Sequence, residues 1–253
     1  MQIDLNCDMG EGPGSGLIGH DVEIMPHISS ANIACGFHAG DPLAIEKTIC
    51  LAIKHGVGVG AHPGYPDPEG FGRRHMDMEP DALSASVKYQ VGAVKGMAES
   101  MGTRLGHVKL HGALYNAAAA DPILAGRMVA AIRSVSPELI FVGLPNTPMQ
   151  HAALKAGMAF AAEVFADRAY DDSGRLLPRH VPDAVLHDAE EMMNRVISMV
   201  TRGEVVSHGG RIIAVRPDTV CIHGDNPAAP EFVRMLRKAF ARVGIEVKPM
   251  KAW

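Results

Sequence analysis

The sequence predicts an α/β fold, an irregular seven-stranded β/α barrel of TIM-like form, as a single domain over residues 1–253. Three observations carry the prediction. Seven short strand-like runs alternate with helical runs along the chain, a pattern that calls for parallel strands joined by crossover helices. Each of the more telling runs has one apolar face and one face that is polar or glycine, whereas an open parallel sheet covered on both sides reads as continuously apolar. A closed barrel resolves this, with the apolar face on the outer helices and the polar face in the lumen. The length of 253 residues also suits a barrel.

The elements follow in order. Residues 3–8 put Ile3, Leu5 and Cys7 on one face and Asp4, Asn6 and Asp8 on the other. A strand at 30–36 runs into "FHAGDP", with Asn32 and His38 in phase. Residues 42–55 carry apolar side chains at helical spacing, begin with Asp41-Pro42 as N-cap and first helical residue, and stop at Gly56. The strand at 57–62 groups Gly58, Gly60 and His62. A helix at 81–101 leads to a strand at 106–111, which groups His107, Lys109 and His111 against Val108 and Leu110. Asp121-Pro122 opens a helix at 122–134. A strand at 139–144, a short helix at 147–156 and a strand at 161–167, with Glu163 and Asp167 in phase, come next. A helix at 182–202 precedes a hairpin at 204–215 turning on "HGG". The strand at 219–223 groups Cys221 and His223 with Asp225, and a helix at 227–243 ends at Gly244.

Position along the strands concentrates chemistry at one rim. His38, His62, His111, Asp167, His223 and Asp225 fall at or just beyond the C-terminal ends of their strands, the end at which β/α barrels build active sites. Imidazoles suit proton transfer or metal binding, and Asp8 with His38 and His62 would hold a divalent metal. The Gly- and Pro-rich loop 60–74 offers Arg73 and Arg74 as a carboxylate clamp. A second loop, 163–179, offers Arg168 and Arg179 as anion contacts.

Composition narrows the function classes. A formal net charge of −4 leaves no basic footprint for nucleic acid, and no apolar run reaches membrane-spanning length. The N-terminus lacks a basic segment followed by an apolar one, so no signal peptide is expected. Cys7, Cys35, Cys50 and Cys221 form no C-x-x-C pair, and a cytoplasmic location is expected. "GSGLIG" at 14–19 has the G-x-G-x-x-G spacing but neither follows a strand directly nor opens a clear helix. No Walker-type "GKS" or "GKT" occurs.

Six blocks in order, "DLNCDMGEG", "ANIACGFHAGDP", "GAHPGYPDPEGFGRR", "KLHGALYN", "EVFADRAYDDSGRLLPR" and "CIHGDNP", resemble the LamB/YcsF family from the first strand to the last. One departure is Leu110, where the family often has Pro before the histidine. The resemblance implies a barrel similar to the sugar-deacetylase fold. It also implies a role as the A subunit of an ATP-dependent 5-oxoprolinase, opening 5-oxo-L-proline to L-glutamate with partner subunits B and C. On that basis ATP acts through the complex. Asp8, His38 and His62 hold a divalent metal or the water, and His111 or Glu163 serves as acid or base. Lys109 stabilises the developing anion. Asn6, Arg73, Arg74, Arg168, His223 and Asp225 surround the substrate. The alternatives are a metal-dependent deacetylase or amidohydrolase acting without ATP, and a non-catalytic scaffold subunit.

Overall fold

A computed structural model of the chain describes residues 1–12, 20–224 and 228–250. Its elements are β1 (Gln2–Met9), α1 (Asp21–Ile24) running into a 3-10 turn (Met25–His27), β2 (Ser30–Ala34), α2 (Pro42–His55), β3 (Gly58–His62), α3 (Pro80–Ser100), β4 (Leu105–Lys109), α4 (Gly112–Ala120), α5 (Pro122–Val135), β5 (Ile140–Gly143), α6 (Pro148–Lys155), β6 (Phe160–Phe165), α7 (Ala189–Thr201), β7 (Glu204–Val206), β8 (Ile212–Ala214), β9 (Thr219–Ile222), α8 (Ala229–Arg242) and β10 (Glu246–Val247). β1 to β6 pair in sequence order, all parallel; β6 then pairs with β9, and β9 with β1. The seven-stranded barrel is therefore closed. The two-residue β10 adds to the start of β1, and β7 and β8 form the hairpin expected from "HGG". Among the described residues no helix is long and apolar enough to cross a membrane.

The period-2 pattern explains the two layers. Leu5, Cys7, Ile33, Val59, Ala61, Val108, Phe141, Val164 and Val220 face outward and are buried under the helices as one core. The opposite parity fills the lumen with Asp4, Asn6, Asn32, His107, Lys109 and Glu163, all buried. The lumen is not polar all round, however. Ile140 and Val142 of β5 with Ala161 of β6 form a small separate apolar cluster inside it, so one wall is dry and the polar groups gather on β1, β2, β4, β6 and β9.

Asp41 and Asp121 are caps, as their Asp-Pro context predicts. Each carboxylate accepts from the two backbone amides at the start of α2 or α5. Two helices depart from the sequence reading. α4 does not follow from it: no side chain caps its start, and "ALYNAAAA" is apolar around the helix, so it shows no period. α7 starts at Ala189 instead of residue 182, because residues 182–188 are tied into the loop before it. Ala184 O accepts from Ala169 N at 3.0 Å and Leu186 N donates to Asp167 O at 2.8 Å. Asp188 then caps the helix, accepting from Glu191 N.

Candidate active site

The C-terminal mouth of the barrel holds a cavity of about 390 Å³, lined by Asp8, Glu11, His62, Arg73, Lys109, His111, Phe165, Arg168, Arg179 and His223 among others. At its floor the Lys109 ammonium bridges two acids. It lies 2.9 Å from Asp8 Oδ1 and 2.9 Å from Glu163 Oε1, with Cys221 Sγ at 3.1 Å. Burial opposes the charge on Lys109, but the surrounding acids hold its pKa well above the ordinary value. Burial likewise opposes ionisation of Asp8, and His62 and Lys109 keep its carboxyl well below the usual range. Asn32 Nδ2 donates to the same Asp8 oxygen at 2.8 Å, leaving Oδ2 towards His62 Nε2 at 3.3 Å. Such a group costs desolvation and persists only when each charge is answered.

Asn6 and Glu163, both placed in the site by sequence, lie beneath it. Asn6 is fully buried, donates to Thr219 Oγ1 at 2.7 Å and accepts from Asn32 at 2.7 Å. Neither residue lines the cavity, because each sits one strand repeat or more below the rim. They hold Asp8 and Lys109 and are out of reach of a substrate.

Beside the floor, three histidines and an acid converge. Ligand atoms of Glu11, His38, His62 and His111 lie within 4.8 Å of one another. His62 Nδ1 is 2.8 Å from the Lys109 carbonyl and His111 Nε2 is 2.7 Å from the Phe71 carbonyl. A carbonyl oxygen only accepts, so both of those nitrogens carry hydrogens. The remaining nitrogens, His62 Nε2 and His111 Nδ1, face each other at 3.0 Å. In neutral rings these are two opposed lone pairs, and a positive charge, proton or metal ion, is needed between them. His38 stacks on His111 with ring centroids 3.7 Å apart. Burial pushes both His38 and His111 well below the ordinary imidazole value, with the neighbouring histidines adding to it. His38 Nδ1 is buried with no hydrogen-bond partner. Gly72, at φ +61°, allows the close approach: a Cβ there would lie 2.8 Å from His38 Cβ and 2.9 Å from His111 Cδ2.

Three imidazole nitrogens and one carboxylate oxygen around a lone-pair conflict fit a divalent first-row ion. Two of the expected ligands, His38 and His62, lie in this group, and its acid is Glu11, 3.4 Å from His38 Nε2 and 3.5 Å from His111 Nδ1, while Asp8 Oδ1 is engaged by Lys109. Sequence reasoning misses Glu11 because strand parity says nothing past the strand end. The chain leaves β1 through Gly10, at φ +68°, whose amide is held by Asp21 at 2.9 Å. The signal available is an acid immediately after a rim-facing strand.

Across the cavity, His223 Nδ1 lies 2.8 and 2.9 Å from the two Asp167 oxygens. Burial would lower its pKa, but the Asp167 charge raises it above the ordinary value. The dyad orients the ring, favours its protonated form and leaves Nε2 as a donor to a ligand. The sequence places Asp167 at this rim but does not show its pairing to His223.

The arginines divide. Arg73 lines the cavity, its guanidinium 4.9 Å from the centre of the Phe71 ring. Arg74 does not: Asp67 holds it in a two-pronged ion pair on the loop, so the expected Arg73–Arg74 clamp is absent. Arg168 lines the cavity but spends donors on the carbonyls of Leu177 and Ala184. Burial and the Arg179 charge lower its pKa to about 10. Exposed Arg179 stands at the mouth with His180, a loop residue that strand parity could not place there. Loop 60–74 is pinned, with Gly64 bound through both backbone groups to buried Gln90. Asp225 and the "GSGLIG" segment lie outside the described residues.

Comparison with known proteins gives concordant results. The LamB/YcsF family model matches residues 3–253. A protein of Syntrophobacter fumaroxidans, named as the A subunit of 5-oxoprolinase, is 47% identical over 252 residues, covering all of both chains. One of the same name from Rhodopseudomonas palustris is 49% identical, covering 98% of each. The crystal structure of a lactam utilization protein from Thermus thermophilus superposes with a TM-score of 0.93 at 45% identity, again over all of both chains.

Proposed function

The chain belongs to the LamB/YcsF family, and from that premise we propose that it is the A subunit of a 5-oxoprolinase, hydrolysing the lactam bond of 5-oxo-L-proline to give L-glutamate. The observation that carries this reading is the full-length similarity, at nearly half identity, to chains named as 5-oxoprolinase A subunits. The cavity is chemically suited to it. Arg73 receives the substrate carboxylate. Asp8 orients the attacking water, and the Lys109 ammonium faces the carbonyl oxygen as negative charge develops there. His223, kept protonated by Asp167, donates to the ring nitrogen as the C–N bond breaks and recovers a proton from the attacking water. Glu163 holds Lys109 in place instead of acting as acid or base. A divalent ion held by Glu11, His38, His62 and His111 would supply Lewis-acid polarisation.

ATP and subunits B and C complete the reaction in this proposal. The partners transfer the γ-phosphoryl group of ATP to the lactam oxygen, releasing ADP, and phosphate leaves after water adds to that carbon; this chain has no phosphate-cradling glycine loop followed by Lys and Ser or Thr. A dependence on ATP and four unpaired cysteines fit a cytoplasmic setting.

Glutamate release from 5-oxoproline is the direct test, with the chain alone, with B and C, and with each component omitted. Only the complete mixture with Mg-ATP is expected to release glutamate, and calorimetry of the isolated chain is expected to detect no tight ATP binding. Stoichiometric ATP binding by the isolated chain would overturn this division of labour. Acetate release from an acetylated sugar without ATP would favour a deacetylase instead.

The metal proposal has its own test. Titration of the metal-stripped chain with zinc is expected to show one site. Glu11→Gln and His38→Ala should each weaken it by at least about tenfold, while Asp8→Asn should leave it within about threefold. Equal losses at Asp8 and Glu11 would return Asp8 to the ligand set.

A further inference from the structure

We propose that His107, deep in the lumen and remote from the cavity, is a positioning residue that acts on Asp8 through Asn32. The role of Asp8 rests on the function proposed above; the connection itself rests on hydrogen-bond geometry. His107 Nε2 lies 2.8 Å from Asn32 Oδ1. Asn32 Nδ2 donates onward to Asn6 Oδ1 at 2.7 Å and to Asp8 Oδ1 at 2.8 Å. All three groups below the rim are fully or nearly fully buried, and His107 also lines a separate cavity at the opposite end of the barrel with Gly58, Gly106 and Ile140.

The directions of these bonds are fixed. Asp8 is a carboxylate beside an ammonium and can only accept. Asn32 must therefore present its amide nitrogen to Asp8 and its oxygen to His107. A carboxamide oxygen can only accept, so His107 must carry its hydrogen on Nε2. His107 is neutral, burial lowering its pKa to about 3, and that single hydrogen selects the orientation of Asn32. Were it missing, the carboxamide could flip and set its oxygen against Asp8. The lower end is anchored as well: Asn6 donates to Thr219 Oγ1 at 2.7 Å, and Thr219 donates to Asp4, which also accepts from Ser29 and Ser30.

The fold reserves space for this ring. His107 lies across Gly60 of β3, where a Cβ would fall 2.0 Å from His107 Nε2. The Gly60 backbone is not in the left-handed region, so glycine is required here by the imidazole and not by strain.

The test compares His107→Gln, which keeps an N–H donor, with His107→Met, which fills similar space without one, and with Gly60→Ala, which displaces an intact ring. In the complex assembled with B and C, His107→Met and Gly60→Ala should lower kcat about tenfold with KM within twofold. His107→Gln should recover to within about threefold of the parent. Crystal structures should show the Asn32 carboxamide turned and its bond to Asp8 lost in the Met and Ala variants, but kept in the Gln variant. Equal kcat for Gln and Met, a rise in KM in place of the fall in kcat, or an unmoved Asn32 in the Met variant would each overturn the proposal. If the parent complex itself releases no glutamate, the functional reading fails instead, and the crystal structures alone decide the role of His107.

Discussion

Replacing Asp8 by Asn should lower glutamate production by the assembled enzyme about 10²–10⁴-fold while the barrel stays folded. The two halves of this expectation have separate grounds. Asp8 is the carboxylate on the cavity floor whose Oδ1 is held by Lys109 and Asn32, and the isosteric amide removes the negative charge that orients a water. Folding should survive because Lys109 keeps Glu163 at 2.9 Å and the outer core is untouched. Circular dichroism and the denaturation midpoint check the fold, and glutamate release with B and C checks the activity. Turnover near that of the parent would remove Asp8 from the mechanism. A collapsed fold would assign its main role to assembling the lumen.

Much of this site is legible in the sequence, because its floor lies on strands. The alternation Asp4-Asn6-Asp8, His107-Lys109 and Cys221-His223 follows from a period of two, and barrel closure then forces these side chains to meet. What lies beyond the strand ends is less legible. Glu11 is reached only through the Gly10 turn, and the Asp167–His223 dyad depends on how two neighbouring strands, β6 and β9, release their chains. Arg74 is misassigned from sequence because a cation on a functional loop is visible there but its pairing with Asp67, seven residues earlier, is not. Asn6 and Glu163 share the parity of the site but not its depth. Parity fixes the face, while height in a tilted barrel depends on the register of seven strands. α4 escapes because alanine occupies its buried and its exposed positions alike, so the sequence carries no apolar period there.

The largest effect on stability should come from Lys109→Met. Glu163 is fully buried, and its described ion-pair partner is the Lys109 ammonium at 2.9 Å. The Tyr115 phenol, which Glu163 also affects, is neutral, its pKa pushed well above the ordinary value by burial and then by Glu163. Removing the ammonium therefore leaves an uncompensated charge in the lumen, which costs about 3–5 kcal/mol. Urea denaturation should show the midpoint falling with the slope unchanged. Of the two acids that Lys109 bridges, Asp8 keeps Asn32 and His62, so adding Glu163→Gln to Lys109→Met removes the more poorly answered charge and should return about half or more of the lost stability, since neutralising both partners of a buried pair is far cheaper than breaking it. Activity should not return with it, because the cation facing the carbonyl oxygen is still missing. That split separates the two roles of Lys109. If the double variant is as unstable as the sum of the single losses, the Lys109–Glu163 pair is not what holds the floor of the barrel together.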